Sequence, residues 1–442
     1  MDMDLDMDID ATAPATHDDL EGVLLREIIP ALGCTEPIAI ALAAATAREA
    51  LGASPERVEV RCSGNVIKNA TSVVVPNSGG QVGIRIAAAL AVIGGDSRAG
   101  LRCLAGISQE HRADARTLVD GAKVRVLLAQ HADGLYVEAT VTGGGHTATA
   151  LLDGDHSRFS SVVRDGVPLP DADVAAGGTP FPSSLPVERV DVATLIQFAV
   201  QVDLPSRPAL RDLLDRQIEA NTAIANAGLD HVFGVAVGRH LLAAAPSADA
   251  RTRARALTAA ASDARMGGCS LPVMINAGSG NQGLTVSIPV IVAAEEMGCS
   301  RERLHRALIV SNLLAIYQKH FIGRLSAFCG VVTAAAASGA GIAFLEGWTT
   351  EQIGAVIETS VGTAGGIVCD GAKASCAAKV SLGVENAFTA LDMVRCGGAL
   401  PARQGLVGAT VEETIRNVGR MARGMTNTDV EILRIVVERD PA

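Results

Sequence analysis

The chain has 442 residues, 48% of them hydrophobic and 19% charged, which describes a globular body long enough for two domains and excludes a disordered chain. Its formal charge is −11, yet seven acidic residues fall within the first twenty positions, which hold no Lys or Arg, so the rest is only weakly acidic. No basic patch interleaved with aromatic residues is present, which speaks against nucleic acid as a partner.

Residues 1–16, starting Met-Asp-Met-Asp-Leu-Asp, lack the cationic and apolar segments of an export signal and read as a disordered acidic tail. Residues 17–55 carry apolar positions at helical spacing and are expected to form helices that pack on the C-terminal part. Pro30 and Gly33 should break one helix, and Thr35 with Pro37 just inside should open the next. Cys34 then stands at a helix N-terminus, where free N–H groups and the dipole favour a thiolate.

From 56 to 170 the texture changes to β-branched runs at 58–62, 73–75, 123–127, 135–141 and 147–152, with helices near 82–92 and 110–119, so this stretch reads as an inserted mixed α+β domain. Gly64-Asn65, Pro76-Asn-Ser-Gly-Gly and Gly143-Gly-Gly mark its turns. The second of these opens a predicted helix, and it is either an anion site with Asn77 as a contact or an ordinary capped turn. Residues 171–188, rich in Gly, Pro and Ser, read as a linker, and 189–442 is helical almost throughout. The fold class is therefore α+β: a mainly helical domain with an inserted α+β domain. The 21 uncharged residues between Arg324 and Glu346 could span a bilayer on length, but their Ala, Gly and Ser content fits a buried central helix and no membrane. Nine cysteines, an odd number without an export signal, point to reduced thiols in the cytoplasm.

The most telling stretch is Cys369-Asp-Gly-Ala-Lys-Ala-Ser-Cys376, forty residues after Cys329 in Arg-Leu-Ser-Ala-Phe-Cys-Gly. Two thiols, a glycine to turn the backbone and a cation in one loop can hold a soft metal centre, although three buried cysteines can also be small hydrophobes. The spacing is longer than in a zinc knuckle and is tolerated by an iron–sulfur cluster. Three thiolates would leave one iron of a four-iron cluster open to chemistry. Asn276-Ala-Gly-Ser-Gly-Asn-Gln-Gly283 could present amides to a carboxylate or phosphate, or be a plain turn; it lacks the lysine of a nucleotide loop. Only five lysines occur, and Lys319, Lys373 and Lys379 lie near the cysteine motifs. Lys319 and Lys373 could supply a compact ammonium, while Lys379 reads as a solvated surface residue. Cys62, Cys103, Cys269, Cys299 and Cys396 read as structural.

With these motifs assembled, the chain resembles the iron–sulfur-dependent L-serine dehydratase alpha family, most closely its L-cysteine desulfidase branch, over nearly everything after the tail. The resemblance rests on Leu-Gly-Cys34-Thr-Glu-Pro, Val75-Pro-Asn-Ser-Gly-Gly, Met266-Gly-Gly, Gly-Ser-Gly-Asn-Gln-Gly, Gly323-Arg-Leu-Ser-Ala-Phe-Cys329-Gly and Ile367-Val-Cys369-Asp-Gly-Ala-Lys-Ala-Ser-Cys376. It implies a [4Fe–4S] cluster held by Cys329, Cys369 and Cys376 in the helical domain. Cys34 would be the family's additional cysteine, a fourth ligand displaced by substrate or a base. The implied reaction on a small amino acid is conversion of L-cysteine to hydrogen sulfide, ammonia and pyruvate, with L-serine dehydration as the alternative. A non-catalytic cluster or zinc sensor and a pyridoxal phosphate lyase are readings of another class. Cys34, Lys319 and Lys373 are the catalytic candidates. Substrate contacts are expected from Thr35, Glu36, Asn77, Asn276, Ser279, Gly280, Asn281, Gln282, Arg324 and Asp370. The inserted domain would cap the site, and a homo-oligomer is allowed but not required.

Overall fold

A computed structural model describes residues 15–130, 132, 134–169 and 185–439, so most of the expected acidic tail and most of the expected linker lie outside the described residues. The first half contains α1 (His17–Glu27), β1 (Pro30–Leu32), α2 (Thr35–Leu51), β2 (Arg57–Cys62), α3 (Gly64–Ala70), α4 (Ile84–Gly94), α5 (Gln109–Asp120), β3 (Val124–Leu128), β4 (Tyr136–Gly143), β5 (His146–Asp153), β6 (Phe159–Arg164) and β7 (Val167–Pro168). There follow α6 (Val192–Gln201), α7 (Pro208–Asp230), α8 (Val237–Ala243), α9 (Ala250–Met266), β8 (Pro272–Met274), α10 (Gly280–Glu296), α11 (Arg301–Ile322) and α12 (Gly330–Leu345). The last elements are α13 (Thr350–Ala364), α14 (Ser375–Arg395), α15 (Val411–Gly424) and α16 (Thr426–Arg439). The architecture is α+β, as the alternation of textures predicts.

The first half builds a six-stranded sheet in the order β3-β2-β4-β5-β6-β7, with β2 and β3 parallel and the other pairs antiparallel. Alternate residues of β4, Val137, Ala139 and Val141, are buried, the period expected of a sheet with one covered face. α1 lies on α7 and α11. By contrast, α2 packs chiefly on β4, β5 and α4, and shares its core with Ala261 of α9 and Leu284 of α10. Its Ala-rich run 38–45 is buried all round, so the helix is sunk between sheet and helices rather than laid on the C-terminal part alone.

In the second half α12 is the hub, packed against α10, α11, α13 and α14. It is the expected buried central helix, and no helix among the described residues is long and apolar enough to cross a membrane. It begins later than its composition suggests, at Gly330, because residues 327–329 run extended to meet 367–369. Other differences are local. Residues 73–75 contribute only a bridge from Val74 to Val82, Gly64-Asn65 starts α3 instead of a turn, and β6, β7 and α16 had no distinct sequence signal. All nine cysteines are free.

A strand pair ties the halves together. β1 pairs antiparallel with β8, matching Pro30 to Met274 and Leu32 to Pro272 across the sequence. Buried Asn221 of α7 holds β8 in place: its side-chain oxygen accepts from Met274 N at 2.9 Å, and its amide donates to Ser287 Oγ at 2.9 Å. α10 approaches this ladder so closely that a Cβ on Gly283 would lie 2.1 Å from the Met274 carbonyl oxygen. Gly283→Ala should therefore cost about 1–3 kcal/mol by overpacking, read as a lower urea midpoint at unchanged slope; a parental midpoint would contradict the close approach.

Asp263 of α9 is buried, with Oδ2 accepting from Gly238 N at 3.1 Å, and among the described residues its Oδ1 has no partner within hydrogen-bond geometry. Burial pushes its carboxyl up from 3.8 to about 6. The folded protein thus keeps a proton that the unfolded chain gives up, so this group's stabilisation is complete below pH 3.8 and is lost as pH rises through 6. Asp263→Asn should be more stable than the parent at pH 7.5, by about 1–2 kcal/mol, with the advantage vanishing near pH 4 in denaturation measured across that range.

Candidate active site

A cavity of about 90 Å³ lies where four helices begin. Cys34 is the N-cap of α2, Ser279 of α10 and Cys329 of α12, and Cys376 is the second residue of α14; all four line the cavity. Helix starts leave N–H groups unpaired and carry the positive end of the dipole, so the chamber favours anions. Sequence sets where each helix begins, through Pro37 inside α2 and the glycines around α10, but the β1–β8 ladder is what delivers Cys34 to the others. Behind it, Gly33 has φ +62°, and a Cβ there would lie 2.2 Å from Pro76 Cγ.

The thiols of the helical domain are placed by a short cross-connection. Cys329 N donates to Ile367 O at 3.0 Å and Cys369 N donates to Ala327 O at 2.6 Å, around a bridge from Phe328 to Val368. The loop then turns at Gly371, φ +98°, where a Cβ would lie 2.3 Å from Lys68 O. Lys68 is itself buried and ion-paired to Asp429 of α16. Asp370 ties the loop by ion pairs to Lys373, 2.8 Å, and to Lys379. Burial alone would raise the Asp370 carboxyl, but the two lysines hold it at about 2. Asp370 and Lys373, expected at the substrate, are thus fasteners of the loop. Lys379, expected on the surface, donates to Val368 O at 2.8 Å and lines the cavity.

Burial pushes the Cys329 and Cys376 thiols up, and neighbouring Cys369 adds to the effect. Such thiols ionise when a cation binds them. Among the described residues no three His, Cys, Asp or Glu side chains converge on a single ion. Cys329, Cys369 and Cys376 border the cavity together, with Lys319 and Lys379 beside them and helix starts behind two of them, a donor set that fits a polynuclear cluster carrying negative charge.

At Cys34 the structure departs from the expected thiolate. Cys34 is 2% exposed; burial raises its thiol, and Glu36 raises it further. The thiol donates to Glu36 Oε2 at 3.0 Å, and Thr35 Oγ1 donates to the same oxygen at 3.1 Å. Glu36 sits in the first helical turn, so its own charge takes up the field that would have ionised the cysteine. Its other oxygen accepts from Asn69 Nδ2 at 3.1 Å and lies 3.8 Å from His156 Nε2, contributed by the turn between β5 and β6. Burial opposes ionisation of Glu36, but His156, Cys34 and Arg265 together hold it below the usual carboxylate range.

Lys319 of α11 is buried and also lines the cavity; burial lowers its ammonium, while the Cys369 and Cys329 sulfurs act the other way. Arg324 donates to Glu27 Oε1 at 3.0 Å and lies 3.7 Å from Asp155. Lys319 and Arg324 also border a neighbouring cavity of about 510 Å³ that reaches the sheet at Asp153 and Phe159, so they stand between an outer and an inner chamber.

Thr35, Glu36, Ser279, Asn281 and Arg324 therefore line the inner cavity as a group. Asn276 and Gln282 do not; they belong to a buried amide chain in which Gln282 Nε2 donates to Asn276 Oδ1 at 2.8 Å, Asn276 Nδ2 to Asn312 Oδ1 at 2.8 Å, and Asn312 Nδ2 to Gln217 Oε1 at 2.9 Å. Asn77 is spent on the Leu104 and Ala105 carbonyls, at 2.9 and 3.3 Å, and Gly280 makes room for Arg265. Lys379 was noted near the cysteine motifs but read as a surface residue, and three neighbours of the site went unread in the sequence: Asn69, His156 and Arg265. Of these only Arg265, immediately before Met266-Gly-Gly, adjoined a motif that could have flagged it.

Several known proteins are similar to this chain over nearly its whole length. A protein of Oleidesulfovibrio alaskensis named UPF0597 protein is 43% identical over 435 residues, covering 95% of this chain and 97% of its own. Proteins of the same name from Lachnoclostridium phytofermentans and Treponema denticola are 42% and 38% identical, covering 94% and 96% of this chain and 98% of their own lengths. The serine dehydratase alpha chain family matches residues 194–434, the span that carries the three cavity thiols of the helical half, and the chain belongs to that family.

Proposed function

We propose that the protein is an iron–sulfur-dependent amino-acid lyase of the cytoplasm that converts L-cysteine to hydrogen sulfide, ammonia and pyruvate. The reading is carried by one observation: Cys329, Cys369 and Cys376 share a small buried cavity with Cys34 and with cationic side chains. The three thiolates would hold a [4Fe–4S] cluster, which when bound supplies Lewis acidity at an iron without a protein thiolate. The other residues of the cavity account for the rest of the chemistry.

Cys34 faces the substrate and is the base for the Cα proton. Its thiol donates to Glu36 Oε2 at 3.0 Å, and Arg265, whose charge favours the thiolate, offsets the burial that holds the proton on sulfur. Lys319 offsets the negative charge gathered on the thiolate wall, and Ser279 and Asn281 orient the substrate from the start of α10. Once hydrosulfide has left, hydrolysis of the remaining enamine gives pyruvate and ammonia. A second reading, dehydration of L-serine in the same chamber, is favoured by the name of the matching family. The soft sulfur leaving group of cysteine suits a thiolate-rich iron site better than hydroxide does.

Anaerobically purified protein should contain iron and acid-labile sulfide and release sulfide from L-cysteine faster than it forms pyruvate from L-serine. Cys369→Ala should lose iron and turnover together. Cys34→Ala should lose about 10²–10⁴-fold in kcat while folding normally. Undiminished sulfide release by Cys369→Ala, or by colourless iron-free protein, would sink the cluster mechanism, and a serine rate exceeding the cysteine rate would select the second reading.

A further inference from the structure

The cavity holds a cation to which neither motif nor mechanism has given a task. Arg265, the penultimate residue of α9, is only 3% exposed, and its Nε has no partner. Among the described residues its guanidinium makes no hydrogen bond or ion pair at all, yet it lines the chamber. It does not serve as a cap for its own helix, because Gly267 N and Cys269 N bond to the Asp263 and Ala264 carbonyls. Room for it is made on the neighbouring helix: a Cβ on Gly280 would lie 2.1 Å from Arg265 Nε and 2.5 Å from Cζ. The guanidinium therefore lies against the first residue of α10, where N–H groups are unpaired and Ser279 and Asn281 face the cavity.

The other cations nearby are committed. Arg324 is held by Glu27 and Asp155, and Lys373 and Lys379 are held by Asp370. Lys319 belongs with the Cys329 and Cys369 sulfurs. Arg265 instead belongs with Cys34 and Glu36, which feel its charge, while the oxygens of Glu36 are already taken by Cys34, Thr35 and Asn69. A buried guanidinium without an anion is costly unless an anion arrives, and its planar fork matches a carboxylate.

We propose that Arg265, together with the start of α10, binds the carboxylate of a small α-amino acid. This deepens the lyase reading and rests on it for the identity of the reacting group. The carboxylate on Arg265 sets the α-carbon near Cys34 and turns the β-substituent toward the wall of Cys329, Cys369 and Cys376. Binding of the carboxylate is thereby separated from departure of the leaving group.

The test uses anaerobically purified parent, Arg265→Lys, Arg265→Gln and Gly280→Ala proteins, each checked for iron content and thermal unfolding. Calorimetric titration with L-alanine, which has the carboxylate and amine but no leaving group, should show binding to the parent. Binding should weaken by about 10–100-fold in Arg265→Gln, as expected on loss of a buried charge-assisted pair, and less in Arg265→Lys. In the Gly280→Ala protein the displaced guanidinium should weaken binding as well. The preference of kcat/KM for L-cysteine over its methyl ester should collapse in Arg265→Gln while iron content stays parental. Equal L-alanine affinity in parent and Arg265→Gln, no binding to the parent, or loss of iron and fold in Arg265→Gln would each overturn the assignment. A parent that turns over neither cysteine nor serine but binds L-alanine through Arg265 would refute the lyase reading and leave this one standing.

Discussion

Four helix starts aimed at one small chamber set the terms for everything around them. Each contributes roughly half an elementary charge of positive potential and several unpaired N–H groups. A chamber of this kind is unstable as a purely apolar void and unfavourable for buried cations. It is suited to thiolates, a carboxylate and the anionic form of Glu36. The placement of Cys34, Ser279, Cys329 and Cys376 at or next to these starts makes the same backbone feature serve both candidate cluster and candidate substrate.

Such convergence needs long-range clamps, since the four starts lie far apart in sequence. The β1–β8 ladder brings Cys34 to the start of α10, and the meeting of 327–329 with 367–369 brings Cys329 beside Cys369. Glycines mark where backbones must almost touch: Gly283 against β8, Gly371 against α3. Beneath the chamber, the chain of amide hydrogen bonds from Gln282 through Asn276 and Asn312 to Gln217 links α7, α10 and α11 and leaves only the Gln282 oxygen without a partner among its described side chains. The price of a polar interior is low when its members bond to one another, and high for Arg265, which among the described residues bonds to nothing. Unpartnered buried cations are where a ligand is expected.

The inserted sheet domain is more than a cover. Its β5–β6 turn supplies His156 beside Glu36 and Asp155 beside Arg324, so both the inner chamber and the larger outer one are built across the two halves. Lys319 and Arg324 at the boundary between chambers would meet an anionic substrate on its way in.

The sequence by itself determined the helices with strong 3.6-residue periodicity, the paired strands of the sheet with alternating burial, and the break at Pro30 to Gly33 that leaves Cys34 at a helix start. Its cysteine spacing and glycine-rich loops named the residues around which the chamber forms, because unusual spacing and backbone freedom are local properties. Only the tertiary structure decided which polar residues face that chamber. Asn77, Asn276 and Gln282 carry the same chemistry as substrate contacts yet are spent on carbonyls and on one another, while Asn69 and His156 come from segments with no motif of their own and Arg265 stands just outside one. β1, three residues long, has no readable period, and its partner lies some 240 residues away, so the ladder that positions Cys34 exists only as a pairing. A protonated Cys34 was equally out of reach, because burial and the carboxylate of Glu36, rather than the helix start alone, set its charge.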